Sequence, residues 1–263
     1  RPIGIRQVGH WLVAGVRDTR RAGWLSLAHG LVVAAFGWLL LWFAHDRFWL
    51  LAGAFSGFLV VAPVLATSLY AISRALQQGQ PVGLQLVVDT WTSWQYSRYV
   101  EPGGYWSMVR FGVLLGLAGT GWVLTSAALI TLLVPQAILV PRDFIDSVLL
   151  APKGHVFELW VTAGGLLAAP LFASSVITMP LLLDRKLDVF PAVLSSWQAV
   201  LMNPVPLAVW AGSILGLTLM GMGLGLVGLI VVVPVLGHAS WHAYSDLVDA
   251  SALPGRVPAQ DAR

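Results

Sequence analysis

Two histidines four residues apart, His238 and His242, lie in the apolar stretch VVVPVLGHASWHAYSDLV, Val231 to Val248. On a helix that spacing puts both imidazoles on one face, with Pro234, Trp241 and Ser245 nearby. A third histidine, His29, falls five residues into the first long apolar run. If the polar border of a bilayer lies near Asp246, a rise of about 1.5 Å per residue sets His238 roughly 12 Å inside it, and His29 about 7–8 Å. Three imidazoles at similar depth carry the nitrogen donors for a metal or haem site, and ionisable groups inside spans are costly enough to count as functional candidates. Two histidines on one face cannot take opposite axial positions of one haem, so His29 would have to supply one of them. The alternative is that each imidazole bonds a neighbouring carbonyl or hydroxyl and ties helices together, with no cofactor. That alternative is the more economical.

The other cluster is Asp184-Arg185-Lys186. It reads either as a gate or partner-docking point or, more simply, as a solvated helix end with an interfacial ion pair. Arg74 and Asp246 end two comparable stretches, so a ring of charges at one membrane face is expected. Gly223-Leu-Gly225-Leu-Val-Gly228 has the letters of a dinucleotide fingerprint but no preceding strand, so it reads as a hairpin with close helix packing. No Gly-x-Ser-x-Gly, His-Glu-x-x-His or phosphate loop occurs, and carboxylates are few and mostly at span ends. No catalytic residue is assigned. The absence of Cys excludes disulfides, thiolate nucleophiles and Cys-ligated clusters. A net charge of +3 without a basic tract gives a nucleic acid nothing to bind.

The elements that position these residues belong to a membrane. The chain is 57% hydrophobic and 10% charged with mean hydropathy +0.79, against about 25% charged residues in soluble domains. Thirteen Trp and five Tyr suit aromatic belts at the two interfaces. The sequence starts at Arg1 rather than Met, so a few native residues are expected to precede it, and the first apolar run is too long for a cleaved signal peptide.

Spans are expected at Trp24–Ala44, Phe48–Ser73, Val109–Val134 and Leu159–Leu183, the first of them close to the roughly 20 residues a bilayer requires. Pro135–Glu158 is the longest connection. The run from Val205 to Tyr244 is either one span with a tail or a hairpin turning near Gly221-Met222-Gly223. Charge favours the hairpin. With six spans, 12 of the 15 Lys and Arg share the side that holds both termini, and an excess of basic residues marks the cytoplasmic face. Interfacial amphipathic segments are expected at Arg6–Arg21, Leu84–Tyr99 and Phe190–Asn203, the first with its basic face toward lipid headgroups.

The runs around Pro63 (VVAPVLATSLYAISRAL), Pro170 (LAAPLFASSVITMPLLL) and Pro234 resemble one another, and GVLLGL at Gly112 recurs as GSILGL at Gly212. The expected fold is therefore all-α, a polytopic bundle of six transmembrane helices. It comprises three repeats of interfacial helix, span and proline-containing span, about 5–76, 83–187 and 188–248, in a single domain 1–263 with a polar tail at 249–263. Gly112/Gly116 and Gly212/Gly216 would allow close helix approach. Thr67, Ser68, Ser174, Ser175 and Ser240 are placed to satisfy carbonyls that the prolines free. Pro63, Pro170, Pro234, Asp184, Arg185 and Trp241 are the expected structural and interaction residues.

The strings MPLLLDRKLD, SSWQAVLMNP and PVLGHASWHAY resemble a bacterial family of six-span inner-membrane proteins, the domain of unknown function 2189 family, with LLDR and GHAxWHAY its more specific motifs. The resemblance runs from Trp11 to Val248. It implies no established activity. Some members carry a cytochrome c oxidase label, but this chain lacks the many spans and six metal-binding histidines of an oxidase catalytic subunit, so the label places it at most beside such an enzyme. The pattern of elbow and span is also similar to membrane domains of some glycerophosphodiester phosphodiesterases, which offer no catalytic residues to transfer.

The leading functional expectation is a non-catalytic integral protein of the bacterial inner membrane, both termini cytoplasmic, acting as an accessory or assembly partner of a larger membrane complex, a respiratory one among the options. Its partners are the lipid bilayer and other membrane subunits, and no cofactor is expected. A small transporter or permeation module is the alternative, requiring a polar path through the bundle. The third is a metal or haem protein using His29, His238 and His242.

Overall fold

Three prolines lie inside apolar helices, and the chain responds differently at each. A proline withholds the N–H that would bond the carbonyl four residues earlier, and its ring crowds that carbonyl. After Pro63, helix α3 (Phe48–Leu65) stops within two residues and α4 (Thr67–Gln77) begins beyond Ala66. After Pro170, α8 (Val156–Ser175) continues for five residues before a break at Val176-Ile177, and α9 (Thr178–Asp184) follows. Pro234 leaves α12 (Leu229–Leu247) continuous. The carbonyl it deprives is that of Ile230, in the first turn of the helix.

The computed structural model describes residues 1–92, 105–150 and 155–256. The remaining helices are α1 (Arg6–Ala22), α2 (Trp24–Ala44), α5 (Leu84–Thr92), α6 (Trp106–Leu133), α7 (Pro141–Phe144), α10 (Val189–Met202) and α11 (Pro204–Gly223), with a π-helical turn at Ile145–Leu149. Among the described residues there is no strand, only an isolated antiparallel bridge between Arg185 and Gly255. The all-helical expectation holds. Trp94, Gln95, Tyr96 and Arg98 of the second interfacial segment, and the end of the tail with Arg263, lie outside the described residues.

Four helical stretches among the described residues are long and apolar enough to cross a membrane: Trp24–Ala44, Trp106–Leu133, Val156–Asp184 and Pro204–Gly223. Helix α3 adds 18 residues without a charge. The run from Val205 to Tyr244 is a hairpin, and its turn, Leu224 to Gly228, comes later than the expected Gly221-Met222-Gly223. Gly225 and Leu226 both take positive φ there (67° and 68°), a conformation glycine adopts freely and leucine only under constraint. Gly228 sits against Gly221, where an added Cβ would lie 2.7 Å from the Gly221 Cα.

The chain forms two compact units. The first comprises Arg1–Ala34, Pro63–Gly112 and Ala173–Arg263, the second Ala35–Ala62 and Val113–Phe172. Within the first, α12 packs against α1, α4, α9 and α11. Helix α1 runs along α12: Gln7 Nε2 and Trp11 Nε1 both donate to Asp246 Oδ2, and Gly15 faces Val235 and Ala239. The closest approaches use Gly15 and Gly30, whose added Cβ atoms would lie 2.4 and 2.2 Å from the carbonyl oxygens of Val235 and Ile230. Of the expected glycine pairs, Gly112 meets only the Val64 side chain, and Gly116, Gly212 and Gly216 face open space. Those pairs are therefore not where backbones approach one another; Gly15 and Gly30 are.

In the second unit the described part of the Pro135–Glu158 connection before Leu150 holds a short helix and a π-helical turn. Asp143 accepts the backbone N–H groups of Leu139 and Val140 at 2.9 and 3.0 Å. Ile130, Val134, Ile138 and Val148 form a buried core. Phe144 stacks on Phe48 at 5.0 Å between ring centroids and meets Trp160 edge-on at 5.5 Å, and Trp160 Nε1 donates to Ser126 at 2.6 Å.

Candidate functional site

The polar residues of the first unit converge where α1, α2, α4 and α12 meet. Helix α1 buries Val8, Trp11, Gly15, Asp18 and Thr19 against its neighbours and leaves Arg17, Arg20 and Arg21 outside. Asp18 therefore belongs to the buried stripe, at positions 8, 11, 15 and 18, and not to the basic face beside it. Helix α2 contributes Ser26 and His29, α4 contributes Ser68 and Ser73, and α12 contributes His238 and His242.

His242, Asp18, Ser73, His238 and Ser26 form a continuous chain of hydrogen bonds, and His29 and Ser68 form a separate pair. His242 Nε2 lies 2.8 Å from Asp18 Oδ2, and Ser73 Oγ donates to the same oxygen at 3.0 Å. Ser73 Oγ is 2.7 Å from His238 Nδ1, and His238 Nε2 is 2.8 Å from Ser26 Oγ. A serine hydroxyl has one proton, and Ser73 gives it to the carboxylate, so its oxygen must accept from His238 Nδ1–H. A neutral His238 then has a bare Nε2 that accepts the Ser26 hydroxyl. His29 takes the same form: its Nδ1 donates to the Leu25 carbonyl at 2.8 Å, and its Nε2 meets Ser68 Oγ at 2.6 Å.

The carboxylate of Asp18 lies outside the apolar spans. Burial pushes its pKa up, but the hydrogen bond and charge of His242, with Ser73 and the more distant His238, outweigh burial and leave it below the ordinary aspartate value. Hydrogen bonds to the charged form favour that form.

In chemical terms, Ser26–His238–Ser73–Asp18 has the order of an activated nucleophile, with a base oriented by a third group. Its burial argues otherwise. Ser26, Ser73 and His238 have no exposed surface and Asp18 is 2% exposed, so no substrate atom can reach the hydroxyl. A buried polar network whose members satisfy one another rigidifies the helices it joins.

The three candidate histidines are thus brought into one unit but hold different partners: serines for His238, a serine and a carbonyl for His29, and a carboxylate for His242. Among the described residues no group of three or more His, Asp or Glu side chains is arranged to hold a metal ion. Trp241 is buried, donates to Gln77 Oε1 at 3.0 Å and packs on Tyr244. Asp184 and Arg185 form an ion pair at 2.9 Å, with side chains 15% and 25% exposed. They are joined by Arg74 and Tyr244 instead of projecting into solvent.

The proline-freed carbonyl of Ile230 meets Gly30. Thr67 and Ser240 bond the carbonyls of Val64 and Leu236 in their own turns, and Ser68 pairs with His29.

Asp18, Ser26 and Ser73 escape motif reading, since none belongs to a recognisable string. The signal available is the register of Asp18 with Trp11 and Gly15 on α1.

A family profile described as "Predicted integral membrane protein (DUF2189)" matches residues 50–184. No curated protein and no solved structure matches the chain.

Proposed function

The chain belongs to the DUF2189 family of predicted integral membrane proteins, and on that premise we propose that it is a six-span, non-catalytic accessory or assembly partner of a larger complex in the bacterial inner membrane. The observation that carries this reading is the sealed network around His238. The richest chemistry in the chain is spent on holding α1, α2, α4 and α12 together, with every nitrogen of His29 and His238 hydrogen-bonded. A metal or haem would have to displace those bonds.

Six spans are supported by the helix ends. Asn203, at the head of α11, bonds Ile3 and the Arg1 carbonyl, while Asp246, near the foot of α12, bonds Gln7 and Trp11. The pair α11–α12 therefore leaves and returns to the same end of α1. The three-repeat plan is supported by the order of elements: α1, α2, α3/α4; then α5, α6, α8/α9; then α10, α11, α12. With the basic residues gathered at these ends, the termini are assigned to the cytoplasm.

The test is isolation of the full chain from native membranes in mild detergent. A partner subunit in fixed stoichiometry, co-migrating on native gels and cross-linking to this chain, is the expected result. Recovery solely as a monomer, with no cross-linked neighbour in intact membranes, refutes the accessory role.

A further inference from the structure

Helix α1 gives one face to the protein and the other to its surroundings, and the outer face is basic. Three residues fix its rotation. Trp11 Nε1 donates to Asp246 Oδ2 at 2.7 Å, Gly15 faces Val235 and Ala239, and Asp18 Oδ2 is taken by His242 and Ser73. Arg17, Arg20 and Arg21 are thereby turned outward. Asp18 is the one acidic residue of the helix. Only Arg17 reaches it, with Nε 3.6 Å from Oδ1. Arg20 and Arg21 make no side-chain hydrogen bond or ion pair among the described residues. The carbonyls at the end of α1 supply about half a negative charge, too little to neutralise both.

The position of these two arginines matters as much as their charge. Only Ala22 and Gly23 separate Arg21 from Trp24, where α2 begins. Gly23, at φ 58°, turns the chain from one helix into the next. Because α2 is long and apolar enough to cross a bilayer, Arg20 and Arg21 stand at the level of the lipid headgroups. Trp24 is 69% exposed, as a residue of an interfacial aromatic belt is. Val13 and Val16 are exposed on α1 as well, at 70% and 37%. A soluble anion would use the guanidinium groups and leave this apolar surface in water. A bilayer surface of negative charge uses both.

We propose that the outer face of α1, through Arg20, Arg21 and Trp24, is a docking surface for anionic phospholipid, which the chain selects over zwitterionic lipid. This surface goes beyond the accessory role and does not depend on it. Asp18 acts here as a positioning residue: by facing inward to His242 it keeps its carboxylate away from Arg20 and Arg21.

The full chain in neutral detergent is titrated with phosphatidylglycerol and, in parallel, with phosphatidylcholine, at low and at raised sodium chloride, while its unfolding midpoint is followed. A ligand that binds only the folded state raises the midpoint saturably. Phosphatidylglycerol is expected to half-saturate at the lower concentration, and its advantage to shrink as salt screens the exposed charges. Replacing Arg20 and Arg21 together with Gln raises the half-saturating concentration of phosphatidylglycerol about thirtyfold and leaves that of phosphatidylcholine unchanged. Arg47→Gln, beyond the other end of α2, titrates as wild type. If the double variant fails to fold, the salt dependence of the wild type decides. Equal half-saturation by the two lipids, an advantage indifferent to salt, or a folded double variant that titrates as wild type overturns the surface. So does a weakening in Arg47→Gln as large as in the double variant. A rise with sodium phosphate equal to that with phosphatidylglycerol, against sodium chloride at matched ionic strength, overturns lipid docking in favour of a soluble anion. No rise with either lipid also overturns it and leaves the arginines to an acidic protein partner.

Discussion

Asp18 and His242 stand 224 residues apart in sequence and 2.8 Å apart in space, so the first helix and the last are joined through a buried carboxylate. Ser73 of α4 donates to the same oxygen, which makes Asp18 the point where three helices are tied.

Replacement of Asp18 with Asn is expected to lower stability at neutral pH by about 1–3 kcal/mol, since His242 and Ser73 lose a charged acceptor. The sign of the pH dependence follows from the depressed pKa of Asp18. Its contribution is complete above the ordinary aspartate value of about 4 and is lost as pH falls through the lower folded value. Thermal midpoints in detergent should show a steeper acid decline for wild type than for Asp18→Asn. Superimposable profiles would remove the carboxylate from the account.

The His238 ring is expected to carry a proton on Nδ1, because Ser73 can only accept from it once its own proton is committed to Asp18. Nitrogen NMR on histidine-labelled protein reads this directly. A His238 signal with the proton on Nε2 would mean that Ser73 donates to the imidazole and not to Asp18. Ser73→Ala removes the acceptor and is expected to shift the tautomer balance.

Gly30→Ala places a methyl group where the Ile230 carbonyl already lies, 2.2 Å from the added carbon. Forcing α2 and α12 apart is expected to cost about 1–3 kcal/mol. Gly116→Ala, which meets nothing within 4 Å, is expected to be neutral or slightly stabilising through helix propensity. If both variants unfold at the same temperature, the close approach is not limiting.

The chain contains no cysteine, so single substitutions report topology without background. Gln80→Cys and Ser251→Cys are expected to react with an impermeant maleimide from the same side of the membrane, and Asp46→Cys from the other. Labelling of Ser251→Cys from the side of Asp46 removes the sixth span.

Local features of the sequence determine a good deal of this protein. Hydropathy alone marks Trp24–Ala44 and Pro204–Gly223 as membrane-crossing, because in hydrocarbon a helix must satisfy its own backbone and needs no tertiary partner to be recognised. The proline breaks after Pro63 and Pro170 are legible for the same reason: a missing N–H is a property of one residue. The hairpin before α12 follows from Gly225 and from charge counted along the chain. What tertiary structure alone decided is the set of partners. Asp18 sits among arginines in sequence, and only the packing of α1 along α12 turns it inward to His242. Arg74 and Tyr244 likewise meet Asp184 because the ends of α4, α9 and α12 coincide. A hydrogen bond depends on distances of about 3 Å, and no local pattern in a chain of this length specifies such a distance between residues that far apart.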